Sequence, residues 1–461
     1  AATDTGAGTG TDTGTDLTAA PEAPASPSLA VNALIATNMV LSRANAVISN
    51  SDVLAEGDLT VGADNVSSID ANNLAVMSSD GTAIGVTLAF NTIGWEAQNV
   101  LFNSLDALLG TSIGDEQPAS ISARVVNTGI EAAGDVKIQA GALDDEPGAD
   151  QGAHIQAVIS NEASSNSDGA AASFVLASNK VSTSSLAWLS PILSGPAEAD
   201  TSTRAISDRL TAIIGGSLEV VANDSAVIDS EVTLAATSGG GAALGGVAAR
   251  NDARGNVDAG IDRMIIDAGG DVSVMALELA QINASITGVC ETLSEEEAEV
   301  AEDPVAEVLG DDGGAATDAG TGDAGGATTT NASGADSTAS PDAAAGTGIE
   351  PAPAATLPIA VNGVLATNLV LSSARATLTR SEVGAGGSLT VQAENESSIS
   401  AENTASITSG GTAVGVTLAY NTIGWDAQDI FTQTIDALLG TSIGDEIPAE
   451  VLAIVDQVML D

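Results

Sequence analysis

The chain has 461 residues, enough for a large core, yet only eight are aromatic (four Phe, three Trp, one Tyr) while 50 are glycine. An enzyme of this length normally fills a thick core with many more large side chains; Ala, Val, Ile, Gly and Thr suit thin layers packed on their neighbours. The net charge of −51, from 62 acidic against 11 basic residues, excludes the Lys/Arg clusters that bind phosphate, and with them nucleic acid and anionic membranes as partners.

Residues 1–28 are rich in Gly, Thr, Asp and Pro and read as flexible linker. They lack the basic and apolar regions of a signal peptide, and the chain starts with Ala, so a piece of a longer protein is expected. No apolar run reaches the roughly 18 residues of a membrane span, so no membrane insertion is expected.

Residues 29–292 form a first block of repeats. Its unit combines period-two alternation with a corner glycine, as in "VLAEGDLTVGA" (53–63), "IEAAGDVKIQA" (130–140), "AIIGGSLEVVA" (212–222) and "IDAGGDVSVMA" (266–276). A fifth copy, "VGAGGSLTVQA", follows at 383–393. The corner glycines Gly57, Gly134, Gly216, Gly270 and Gly387 are spaced by 77, 82, 54 and 117 residues, and 54 reads as the bare unit. Asn91, Asn179 and Asn421 follow strands; they suit either a ladder between stacked rungs or ordinary turns.

In the strand "AIGVTLAF", Ile84, Val86, Leu88 and Phe90 make a large row, and Ala83, Gly85, Thr87 and Ala89 a small one. If the large row faces the core, the small row offers a flat outer strip for a helix. A helical insert is expected near 93–110, because Ile93, Ala97, Leu101, Leu105 and Leu108 form one apolar stripe that Gly110 stops. It accounts for the excess of 23 in the first glycine interval. A second insert, near 184–200, is expected to account for the excess of 28 in the next. Trp95, Trp188 and Trp425 are the candidates for exposed sugar-binding platforms, but Trp95 and Trp425 lie beside the helix's apolar stripe and suit buried anchors better.

Residues 293–356 read as an acidic helix opened by a Ser294/Glu297 capping box, then a low-complexity linker. Residues 357–461 start a second block. Residues 30–118 and 360–448 align without a gap and share 54 of 89 positions, an offset of 330. Between the copies the helix keeps its apolar stripe and stop glycine while its polar face drifts, which fits a structural clip rather than an active site.

Chemistry-bearing residues are few. His154 is the sole histidine and Cys290 the sole cysteine, which excludes a disulfide framework and gives a thiol nucleophile or a general base little support. Calcium is the favoured ligand, since it takes six to eight oxygens from closely placed carboxylates. Its candidates are Asp115 and Glu116, Asp144 and Asp145, and the repeated pair Asp445 and Glu446. None has EF-hand spacing, and a solvated acidic surface is the plainer alternative.

The expected fold is all-β, a right-handed parallel β-solenoid with short helical inserts; an array of β-sandwich domains is the alternative. The "AVGVTLAYN" strand, the "S-x-V-x-A-x-G-x-L-T-V-x-A" rungs and the acidic, Lys-poor surface resemble the giant repetitive β-solenoid surface proteins of bacteria, the filamentous-adhesin-like exoproteins. That resemblance covers roughly 29–292 and 357–461. It implies export to the bacterial cell surface and a non-enzymatic structural or adhesive role. Its implied partners are neighbouring repeats, like chains, and a cell-surface or glycan receptor. The alternative is a subunit that self-assembles into an extracellular filament or sheath.

Overall fold

The computed structural model describes residues 28–94, 119–141, 152–166, 169–191, 210–292, 358–424 and 450–460. Within them the protein is all-β, and the chain passes repeatedly through the same three sheets. Each passage is termed a tier. Tier 1 holds β1 (Leu29–Val40), β2 (Arg43–Ser49), β3 (Asp52–Ala55), β4 (Leu59–Ala63) and β5 (Ser67–Ser79). Tier 2 holds β6 (Thr82–Ile93), β7 (Ala119–Val126), β8 (Gly129–Ala132), β9 (Val136–Ala140) and β10 (Ala153–Ser165). In tier 3 these merge into β11 (Ala171–Ser190), β12 (Leu210–Ile214) and β13 (Leu218–Ser238). Tier 4 repeats them as β14 (Ala242–Asp262), β15 (Met264–Ala268) and β16 (Val272–Thr292). Tier 5 holds β17 (Ile359–Thr379), β18 (Glu382–Ala385) and β19 (Leu389–Ser409). Tier 6 holds β20 (Thr412–Ile423), β21 (Glu450–Asp456) and β22 (Met459–Leu460).

The first sheet has nine strands (β1, β2, β6, β7, β11, β14, β17, β20, β21), the second six (β3, β8, β12, β15, β18, β22) and the third the remaining seven. Strands pair in parallel with their counterparts one tier away, which is not the antiparallel pairing of a sandwich array. The second block does not stand apart from the first. Tier 5 pairs directly on tier 4 through β14–β17, β15–β18 and β16–β19, so the described chain resumes at residue 358 one tier on from where it stops at residue 292.

Register records where inserts enter. Asn38 bonds Asn91, 53 residues on, whereas Asp58 bonds Asp135, 77 on; the extra residues fall between β6 and β7. The expected helix at 93–110 lies outside the described residues apart from Ile93, which is strand, and Gly94. Near 184–200 the expectation fails over its first part. Residues 184–190 are strand, the end of β11, paired with β7 and β14. Ser185, Ala187 and Leu189 point inward at the strand period, and Trp188 covers Gly260 of the next tier. The 28 added residues of the second interval therefore enter as nine between β9 and β10, one between β10 and β11 and 18 between β11 and β12.

The two rows of β6 also face the opposite way from expectation. Ala83, Gly85, Thr87 and Ala89 are buried, while Ile84, Val86 and Leu88 are partly exposed; Phe90, the fourth member of the large row, is buried against Leu88 and Leu176. The cause is the opposite wall. Met77 and Asn161 of the third sheet reach to the space a Gly85 side chain would fill, with Asn161 Oδ1 2.7 Å from a Cβ placed there. Two tiers up, Gly245 meets Leu234 and Cys290 in the same way. The small row is what lets the two long sheets close on each other. Gly245→Ala should therefore cost about 1–3 kcal/mol by overpacking. Adding Cys290→Ala should recover part of that loss in thermal unfolding; no recovery would contradict this packing.

The corner glycines serve close approach rather than an unusual backbone conformation. A Cβ on Gly134 or Gly216 would lie within 3.0 Å of backbone in the corner below. The left-handed corner is elsewhere, between the first and second sheets, at Asn50, Asn127, Arg263, Arg380 and Gln457 (φ 48 to 56°).

Candidate functional site: a buried asparagine ladder and an interior acid pair

Polar side chains inside this stack are organised by row. The first row is asparagine in every tier. Asn38 donates its amide to Asn91 (2.8 Å), Asn91 to Asn179 (2.8 Å) and Asn179 to Asn251 (2.9 Å). Asn251 donates to Asn368 (2.8 Å) and Asn368 to Asn421 (2.8 Å). The four central members are buried. Each amide in the series uses one N–H and one oxygen along the stack, so a row of identical residues satisfies itself. Asn91, Asn179 and Asn421 were legible as ladder candidates; Asn38, Asn251 and Asn368 complete the row.

The second row lies along the third sheet, two residues beyond the aligned alanines Ala63, Ala222, Ala276 and Ala393. Its members are Asn65, Asp224, Glu278 and Asn395. They face Ser42, Thr183, Gly255 and Ser372 on the first sheet. In tiers 1 and 5 the row is neutral and satisfied. Asn65 donates to Ser42 (2.9 Å), which bonds Ser67 (2.7 Å); Asn395, Ser372 and Ser397 repeat this.

In tiers 3 and 4 the asparagine becomes Asp224 and Glu278, register partners on adjacent strands. Both are buried. The longer Glu278 side chain occupies the room left by Gly255, where any Cβ would overlap its carboxyl. Asp224 Oδ1 accepts the Ser225 N–H at 2.8 Å, while Asp224 Oδ2 and both Glu278 oxygens have no hydrogen-bond partner among the described residues. Burial pushes Asp224 up to about 7, opposed in part by hydrogen bonding from Thr183 and Ser225. Burial, then the neighbouring Asp224 charge, pushes Glu278 well above the usual carboxylate range. Near neutral pH the pair binds at least one proton, as like carboxylates in one dry site must.

A third group sits beside the ladder. Asp252 accepts from Arg250 (2.8 Å) and Arg254 (2.9 Å), with Lys180 its partner one tier below. Burial works against its charge, but Arg254, Arg250 and Lys180 hold its carboxyl well below the ordinary range. It is a compensated buried charge, unlike the acid pair.

The calcium candidates Asp115, Glu116, Asp144, Asp145, Asp445 and Glu446 all lie outside the described residues. Among the described residues no three His, Cys, Asp or Glu side chains gather as a metal would need. His154 bonds Asp229 at 2.8 Å, and this holds the Asp229 carboxyl down. Cys290 is buried and its thiol is pushed up to about 12 by burial, which removes the thiolate at neutral pH. Of the three tryptophans, Trp188 is buried, and Trp95 and Trp425 lie outside the described residues.

Asp224 and Glu278 escaped sequence reasoning because the repeat unit was closed at Ala222 and Ala276. Continuing the same alternation two residues further places both on the inward row, 54 residues apart. No protein-family model, curated protein or solved structure matches the chain.

Proposed function

We propose that the chain is a non-enzymatic structural and adhesive repeat segment of an exported bacterial surface protein, its tiers wound as a right-handed parallel β-solenoid. The observation that carries this reading is the asparagine ladder, which stays in register through all the tiers, including the step where residues 293–357 intervene. A polar row maintained over so much sequence serves regular stacking, and regular stacking supplies length and surface rather than a reaction centre. The acidic surface suits salty or calcium-rich surroundings, and calcium is the ion to test. Antibodies raised against the chain should label intact cells of its source. Labelling only after lysis would contradict a surface role.

The second reading, a self-assembling filament subunit, has a specific observation in its favour. At the two ends of the stack, β1 and β20 have no described strand on their outer side, and unpaired parallel edges invite pairing with another chain. Sedimentation and electron microscopy with and without calcium separate the readings: concentration-dependent growth favours the filament, and a constant monomer favours the spacer.

A further inference from the structure

The 330-residue offset has a physical counterpart at the junction of tiers 4 and 5. Tier 5 is the second copy of tier 1, and its seating on tier 4 is visible strand by strand. β17 pairs with β14 from Ala242–Ile359 to Asp262–Thr379, and β19 with β16 from Val272–Leu389 to Thr292–Ser409. Side chains reinforce the pairing. Asn251 donates to Asn368, Thr292 bonds Ser409 at 2.9 Å, and the Met264 N–H donates to Ser381 Oγ at 3.2 Å.

Tier 1 carries the same three receiving residues at minus 330, as Asn38, Ser79 and Ser51. Asn38 donates to Asn91, and its Oδ1 has no partner among the described residues. That oxygen is the one that accepts from tier 4 in the second copy. The backbone agrees. Thr82 and Gly94 donate to the carbonyls of Ser28 and Val40, so even-numbered residues of β1 bond toward β6 and odd-numbered ones point away. Ile359, the counterpart of Leu29, points the same way and donates to Gly241, just before tier 4. Burial follows: Ala30, Leu34, Ala36 and Ile48 are partly exposed, whereas Ala360, Val364, Ala366 and Leu378 are buried under tier 4.

We infer that the open edge of tier 1 is a docking surface for the tier-4 edge of a second copy of this repeat. Units then stack end to end with a period of four tiers, about 19 Å at the parallel-strand spacing. The inference rests on the tiered reading under the proposed function and names the surface through which that stack extends. Its specificity is positional. A tier-4 edge fits tier 1, whereas the described stack ends on tier 6, a counterpart of tier 2.

The test extends the full chain. Asp461 corresponds to Glu131, so adding residues 132–292 after Asp461 completes a second unit and leaves a tier-4 edge exposed. The extended chain should form concentration-dependent filaments with an axial strand spacing of about 4.8 Å, while the 461-residue chain should not. The same extended chain with Ile35→Pro, which removes one outward N–H from β1 and none directed at β6, should remain single at matched circular dichroism. Extended chains that stay single at every concentration would overturn the docking surface and leave the spacer reading standing. Filaments that persist with Ile35→Pro would overturn the assignment of the edge.

Discussion

Replacing Asn251 by leucine is expected to lower stability by about 2–4 kcal/mol, read as a fall in the unfolding midpoint. Asn251 sits mid-ladder, accepting from Asn179 and donating to Asn368, and it is fully buried. Leucine removes both bonds and leaves the Asn368 oxygen without its donor in a place water does not reach. Asn179 suffers less, because its amide also donates to Ser230 at 3.0 Å. The comparison that sharpens the test is Asn421→Leu. Asn421 is the last described member of the ladder, is exposed and bonds along the stack to Asn368 alone among the described residues, so its loss should cost less than about 1 kcal/mol. Equal losses at the two positions would show that the ladder is not a cooperative row.

The second large effect belongs to the acid pair. For a carboxyl raised by folding, stability is fully present below the unfolded value near 4 and is lost as pH rises toward the folded value. Asp224, raised to about 7, therefore weakens the fold progressively between about pH 4 and 7. Asp224→Asn combined with Glu278→Gln copies the neutral row of tiers 1 and 5. The double variant should match the parent near pH 4 and exceed it at pH 8, with Asp224 alone contributing on the order of 4 kcal/mol. The lowered carboxyls Asp229, Asp252 and Asp271 act in the other direction, losing stability as pH falls below the usual range. The difference between variant and parent isolates the pair from them. A difference that does not change with pH would contradict the assignment of buried, protonated acids.

These two rows also show where sequence reasoning reached and where it stopped. The corner glycines and their spacings named a unit of the right size, because tiers pair 53 or 54 residues apart where nothing is inserted. Alternation told which residues of β6 share a face, but not which face turns inward. That choice depends on Met77 and Asn161 across the core, far away in sequence. Ser185, Ala187 and Leu189 carry a strand pattern that the extra length of the interval made read as part of an insert. The asparagines were visible because they recur after strands. The acids were not, because Asp224, Glu278 and Asn395 are three different residue types in one row. Composition marked residues 293–356 as linker, yet only pairing shows that the chain comes back to the neighbouring tier.

That return is the central claim, and one distance tests it. Asp58, Asp135, Ser217, Asp271 and Ser388 occupy the same corner in successive tiers, each linked to the next by a side-chain-to-backbone hydrogen bond. Spin labels at positions 58 and 388, in a Cys290→Ala background, are separated by 330 residues of chain but by four tier spacings, about 19 Å between backbones. Pulsed electron–electron resonance should give a narrow distribution near that value, widened only by the label arms. A broad distribution centred beyond about 40 Å, as a flexible tether of 65 residues would produce, would contradict a single continuous stack.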